Sequence, residues 1–267
     1  MQREIIGLLD SGLGGISLLL KLYKSLSNTT FVYLGDGKNN PYGNKTNSEL
    51  LGISFDNISL LKGYGAKKIF IACNTLSCMH LENLKSIFSE IDFFGVFPPI
   101  ELCLQKKLNP LLLCTMATSR FFIDKNIDIL AFKNLASDIE NVNGLFGKVC
   151  LKNNLSQSVY YSKGKLKEDF SLKSDTLTTD YIKDYIIRQN LLNRVVILGC
   201  THYYFIKNQI FNHFQPKSVI DSTTLTLDYY NSTYKKSKSL LNIYGNEVIF
   251  IGKNQDLYNK IFQDFIK

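Results

Sequence analysis

Short apolar runs rich in β-branched and aromatic residues recur along this chain, each closed by a polar or Gly-containing turn and followed by a segment with helical spacing. That alternation constrains the fold more than any other feature. Strands joined by crossover helices pair in parallel, so the pattern predicts an α/β architecture with mostly parallel sheets. Strands are expected over residues 5–9, 30–34, 68–72, 93–96, 111–114, 129–132, 195–198, 218–220 and 248–251. Helices are expected over 16–26, 47–63, 76–88, 178–189, 203–214 and 255–266. Residues 144–175, rich in Lys, Asn and Ser and without clear period, read as loops and short elements.

A length of 267 residues fits one large domain or two ordinary ones. Pro98-Pro99 interrupts the βα rhythm and marks the expected domain change, with a return near Pro216. The expected division is a first domain of residues 1–97 plus 217–267 and a second of 98–216. Ile71-Ala72-Cys73-Asn74-Thr75 and Leu198-Gly199-Cys200-Thr201-His202 look alike, each an apolar run, a small residue, a Cys, then hydroxyl or amide residues opening a helix. Two related half-chains would produce this.

The net charge of +8 invites a nucleic-acid partner, but only four of the 31 basic residues are Arg and no Arg-aromatic platform exists. A solvated Lys-rich surface is the better reading, with no nucleic-acid partner. No stretch approaches the ~20 apolar residues of a membrane-spanning helix, and no signal-like apolar region develops before Asp10, so a soluble cytoplasmic location without a membrane partner is expected. In that reducing compartment the six cysteines read as free thiols.

In an open parallel sheet the loops after the strand ends form the ligand crevice. Five such loops are chemically loaded: Asp10-Ser11-Gly12-Leu13-Gly14-Gly15, Asp36 through Pro41-Tyr42-Gly43, Cys73-Asn74-Thr75, Thr115-Met116-Ala117-Thr118 and Cys200-Thr201-His202. The Gly-rich turn lets backbone N–H groups approach a carboxylate or phosphate. It lacks the Gly-x-Gly-x-x-Gly spacing and the Lys-Ser/Thr pair of nucleotide loops, which disfavours a nucleotide. A lone Asp at position 10 would most often cap the following helix, and the surrounding constellation argues for more.

A cysteine that opens a helix at a strand end has its thiolate favoured by the helix N-terminus, which makes Cys73 and Cys200 usable as bases or nucleophiles. Cys78, Cys103, Cys114 and Cys150 read as small buried hydrophobes. With no Cys-x-x-Cys and no His-x(3–5)-His, neither a metal site nor a thioredoxin-like redox site is expected. His202, two residues from Cys200, is too close in sequence to be presumed its ion-pair partner, while His80 and His213 read as surface or packing residues. No Schiff-base Lys stands in a loaded loop, so a pyridoxal route is not expected.

Taken together, these loops resemble the glutamate racemase family of cofactor-independent amino-acid racemases. The matching residues are the 10–15 turn, Tyr33-Leu34-Gly35-Asp36 with Pro41-Tyr42-Gly43, Ala72-Cys73-Asn74-Thr75, Thr115 with Ala117-Thr118, and Leu198-Gly199-Cys200-Thr201-His202. The resemblance implies two doubly wound parallel-sheet domains related by pseudo-twofold symmetry, with an active site between them and no cofactor. It makes Cys73 and Cys200 the two acid/base thiols and Asp10 and His202 their auxiliaries, and it sets Glu140 against a family Glu near the second thiol. Ser11, Pro41, Tyr42, Gly43, Asn74, Thr75, Thr115, Thr118 and Thr201 become substrate-binding residues. The implied activity is interconversion of L- and D-glutamate, which supplies D-glutamate for peptidoglycan, in an assembly compatible with a homodimer. An aspartate racemase or other two-cysteine relative, or an inactive binding protein on the same fold, are the alternatives.

Overall fold

A computed structural model describes residues 3–141, 158–169, 194–234 and 245–266. The chain divides into two compact units, Met1–Phe97 with Thr223–Lys267, and Pro98–Ser222.

The first unit contains β1 (Glu4–Asp10), α1 (Ile16–Ser25), β2 (Thr29–Gly35), α2 (Asn47–Gly63), β3 (Lys68–Ile71), α3 (Asn74–Ile87) and β4 (Asp92–Gly95). A helix over Thr223–Thr233, the strand Glu247–Ile251 and a final helix over Gln255–Ile266 complete it. Its sheet runs in the order Glu247–Ile251, β2, β1, β3, β4, and every pairing is parallel. The strands are apolar on both faces because both are covered. Alternate residues sort by face: Leu9, Val32, Leu34, Ile69, Ile71 and Phe93 share a cluster with Leu50, Ile58 and Leu61 of α2 and Leu76 and Leu84 of α3. The intervening Tyr33 and Phe70 meet the C-terminal elements instead, through Tyr33–Tyr258 and Phe70–Tyr230 ring contacts at 5.9 and 5.1 Å. A capping box fixes the start of α2, with Thr46 and Glu49 satisfying each other's backbone N–H groups.

The second unit contains α4 (Ile100–Gln105), β5 (Pro110–Thr115), α5 (Met116–Phe122), β6 (Asp128–Phe132), α6 (Leu135–Asn141), β7 (Ser158–Ser162), β8 (Lys165–Asp169) and β9 (Val195–Gly199). A 3₁₀ segment over Thr201–Ile206, a helix over Lys207–Phe214 and β10 (Ser218–Asp221) follow. The sheet order is β10-β9-β5-β6-β7-β8. Arg194 ties three strand starts together, donating to Asp128 Oδ2 at 2.6 Å, the Pro110 carbonyl at 2.7 Å and Asn109 Oδ1 at 3.1 Å.

Two expectations change, and one gains detail. Within the stretch read as loops and short elements, β7 and β8 form an antiparallel hairpin on the edge of the second sheet, turned at Lys163 and Gly164, both at positive φ. Its polar composition hid it, because β8 is an edge strand. β10 pairs in parallel with β9, so the second unit runs past Pro216 to Ser222. The helix expected over 203–214 begins as 3₁₀ through Ile206, where buried Tyr203 anchors its hydroxyl to the Cys114 carbonyl at 3.2 Å. The helix expected over 178–189, much of 144–175 and Cys150 lie outside the described residues.

The two units share one strand plan. In each, a first strand (β1, β5) is flanked by the second (β2, β6) on one side and the third (β3, β9) on the other, with the fourth (β4, β10) beyond the third. The order reverses beside the first strand, and the crevice of a doubly wound sheet opens there. Cys73 follows β3 and Cys200 follows β9. The two thiols therefore occupy equivalent places beside the switch points of their own sheets.

Candidate active site

In the first unit three of the five loaded loops follow the ends of the adjacent strands β1, β2 and β3. Asp10 is the last residue of β1 and is excluded from solvent, its Oδ2 accepting the Gly12 N–H at 3.2 Å. It does not cap α1, whose N-cap is Gly15 without a side-chain bond. A Cβ at Gly15 would lie 2.8 Å from the Asp10 Cβ and 3.0 Å from the Tyr33 hydroxyl, so the turn folds back this closely only with glycine there. The Tyr33 hydroxyl donates to the Gly12 carbonyl at 2.5 Å and pins the turn from below.

Cys73 is the extended N-cap of α3 and is buried at 5% exposure. The next residue, Asn74, donates through Nδ2 to the Val96 carbonyl at 3.0 Å, while its buried Oδ1 has no hydrogen-bond partner among the described residues. A buried acceptor of this kind calls for a donor that the described residues do not supply. Ser11 and Thr75 are buried nearby in the same loops. Tyr42 opens a short 3₁₀ turn, Tyr42–Asn44, after a cis Asn40–Pro41 peptide, and its side chain is buried while Pro41 and Gly43 are partly exposed. Burial and the Asp36 carboxylate, with smaller contributions from Cys73 and Asp10, push the Tyr42 phenol well above its ordinary pKa. It stays a neutral donor within the field of the Cys73 sulfur.

In the second unit Cys200 ends the β9 turn, and its Sγ lies 4.0 Å from His202 Nδ1. His202 has no exposed surface, and its Nε2 meets Glu140 Oε2 of α6 at 2.8 Å. Burial disfavours charge on His202, but the hydrogen bonds and negative charge of Cys200 and Glu140 outweigh it and push the imidazole pKa well above its usual value. A thiol, an imidazole and a carboxylate thus form one line. The two-residue separation of Cys200 and His202 gives no ground by itself to presume a pair, and the tight 3₁₀ winding brings the ring back onto the sulfur. Thr201 is buried between them. At the end of β5, Thr115 caps α5 by accepting the Thr118 N–H at 3.3 Å, and its hydroxyl donates to the Thr118 hydroxyl at 3.1 Å.

The other cysteines and histidines separate from this chemistry. Burial pushes the Cys78 thiol well up, as befits a packing residue, and it raises Cys103 against an opposing effect of Lys106. His80 is buried in α3, and neither of its ring nitrogens has a hydrogen-bond partner among the described residues. The His213 side chain lies outside the described residues. Among the described residues no group of three or more His, Cys, Asp and Glu is placed to hold a metal ion, and no helix is long and apolar enough to cross a membrane.

No protein-family model matches the chain. It is 31% identical over 205 residues to the glutamate racemase of Clostridium novyi (strain NT), covering 77% of this chain and 73% of the relative. The crystal structure of glutamate racemase from Campylobacter jejuni superposes with a TM-score of 0.70 at 19% identity, covering 98% of both chains. That of Francisella tularensis in complex with D-glutamate superposes with a TM-score of 0.69 at 21% identity, covering 98% of this chain and 95% of the other. The structural likeness repeats the two-unit α/β fold, and the sequence likeness over three quarters of both chains carries the assignment: this chain belongs to the glutamate racemase family.

Proposed function

We propose that this chain interconverts L- and D-glutamate with Cys73 and Cys200 as its two acid/base groups. The observation that carries this reading is the equivalent placement of the two thiols, each after the third strand of the same strand plan, with His202 Nδ1 4.0 Å from the Cys200 sulfur. The Clostridium novyi relative is named for this activity, and the Francisella tularensis structure holds D-glutamate.

Inverting an α-carbon without a cofactor requires a base on one face to remove the proton and an acid on the other to return it. One thiolate and one thiol meet that need, and they exchange roles with direction. By family resemblance Cys73 takes the proton from D-glutamate and Cys200 from L-glutamate. Asp10 serves the first thiol. His202, held toward its protonated form by Glu140, serves the second. Charge that develops on the α-carboxylate meets hydroxyl, amide and backbone N–H donors of Ser11, Asn74, Thr75 and Thr201, and the orphaned Asn74 Oδ1 suits the substrate ammonium. By family resemblance Tyr42, Gly43 and Thr118 take the side-chain carboxylate, with Pro41 and Thr115 as further substrate-binding residues. The product is D-glutamate, made in the cytoplasm for peptidoglycan.

Cys73→Ser and Cys200→Ser test the reading. An alcohol is scarcely ionised near neutral pH, so each variant should lose racemisation by orders of magnitude, followed by circular dichroism from either enantiomer and by deuterium uptake at the α-carbon in D₂O. If both variants keep substantial racemisation, the two-thiol mechanism is wrong.

A further inference from the structure

Asp36 carries a buried carboxylate that the acid–base chemistry does not use. It lies at the end of β2 with 8% exposure, and its donors are neutral. The Tyr42 hydroxyl donates to Oδ2 at 2.8 Å, and Asn57 Nδ2 of α2 donates to the same oxygen at 3.0 Å. Asn39 Nδ2 reaches both oxygens, at 3.1 and 2.9 Å, and the Asn39 N–H reaches Oδ1 at 3.3 Å. Asn57 Nδ2 also donates to the Tyr42 hydroxyl at 3.0 Å, closing a three-membered ring of side chains from β2, the 3₁₀ turn and α2. The Asp36 N–H donates to the Asp10 carbonyl at 2.9 Å, which joins the ring to the end of β1.

A buried carboxylate surrounded by neutral donors costs free energy unless every donor stays in place, and an unmade bond there is expensive. The loop 36–44 therefore has one arrangement in which the anion is satisfied. In that arrangement the Tyr42 ring is buried in the same apolar cluster as Cys73. Because its hydroxyl hydrogen is committed to Asp36 and its oxygen accepts from Asn57, the ring and the following Gly43 are fixed in position. Asn57 itself sits on α2, whose capping box and buried Leu50, Ile58 and Leu61 make it a rigid support.

We infer that Asp36 and Asn57 are positioning residues for the glutamate side chain: they latch the Tyr42–Gly43 segment, and the latch sets how tightly the distal carboxylate is held. This rests on the assignment of Tyr42 and Gly43 to that carboxylate in the proposed function. Neither Asp36 nor Asn57 touches the reacting carbon, so the latch acts on binding and leaves proton transfer by the thiols to Asp10 and His202.

The test measures KM and kcat of the full-length protein for L- and D-glutamate, with the inhibition constant of 2-aminobutyrate, which lacks the distal carboxylate. Asn57→Leu removes both amide bonds and keeps the bulk of the side chain. KM should rise about tenfold in both directions, the scale of one hydrogen bond to a charged group, with kcat within about twofold. Inhibition by 2-aminobutyrate should change by less than about twofold. Asp36→Asn, which keeps the shape and removes the charge, should give the same KM-weighted pattern if Asn57→Leu proves unstable. A fall in kcat at constant KM, or equal weakening of glutamate and 2-aminobutyrate, would show a merely structural network and overturn the latch. Wild-type protein without turnover would overturn the functional reading and the latch together, whereas an active wild type with an unchanged Asn57→Leu KM overturns the latch alone.

Discussion

Replacing Glu140 by Gln separates the charge of the second thiol's relay from its shape. In the native chain His202 Nε2 and Glu140 Oε2 are 2.8 Å apart, with side-chain exposures of 1% and 9%, so solvent does little to screen them. Gln is isosteric and still offers an oxygen to Nε2–H, so the hydrogen bond survives and its charge assistance is lost. A bond to a charged group contributes about 1.5–3 kcal/mol and a neutral one about 0.5–1.5, leaving a loss of about 1–1.5 kcal/mol. At about 1.4 kcal/mol per decade, that predicts a five- to tenfold fall in kcat/KM. Glu140→Ala, which strands the buried imidazole N–H, should cost about 100-fold. The pH dependence has a definite sign. The folded-state pKa of His202 is raised, so its protonated form, and the stability it contributes, is fully present below the unfolded value of about 6.5 and lost as pH rises through the raised value. Without the Glu140 charge that loss comes at lower pH. The alkaline limb of kcat/KM for L-glutamate should therefore move to lower pH in Glu140→Gln, and the activity gap should widen as pH rises. The assay is circular dichroism of L-glutamate across pH 6–10 (about the range where imidazole and thiol titrate). A Gln variant with wild-type rate and an unmoved alkaline limb would refute the coupling of Glu140 to Cys200 through His202.

Three further outcomes are expected. L-Aspartate, whose carboxylate falls one methylene short of its donors, should turn over far more slowly than L-glutamate; equal turnover would favour an aspartate racemase. Exhaustive dialysis against a chelator should leave activity intact and the visible spectrum blank, whereas loss restored by metal or pyridoxal phosphate would sink the cofactor-free mechanism. Gly35→Ala should lower the melting temperature by several degrees and reduce activity, because its Cβ would collide with the buried Tyr258 ring and lie 2.7 Å from the Gly12 carbonyl, an overpacking cost of about 1–3 kcal/mol. A variant that melts like wild type would show that the site turn has room to move.

The βα rhythm is legible in the sequence because it is local: the apolar face of each strand and the spacing of each helix are written within a window of ten residues or so. The loaded loops are legible for the same reason, since a strand end announces the turn that follows, and Cys73 and Cys200 stand out from the succession of strand end, thiol and helix start alone. The hairpin at 158–169 is not, because β8 is an edge strand whose composition follows solvent rather than the core. The end of the second unit is hidden too, because β10 pairs with β9 through hydrogen bonds that no local pattern records. What the tertiary structure alone decided is which polar groups answer one another. The resemblance sets Glu140 near the second thiol, but its bond to His202 across 62 residues, like that of Asn57 to Asp36 across 21, is fixed by packing. At Cys200 and His202 spacing alone is silent, and a 3₁₀ turn makes partners of near neighbours. Hydrophobic burial is non-directional and reads from pattern, while hydrogen bonds between buried polar groups depend on a few ångströms and an angle that only packing sets.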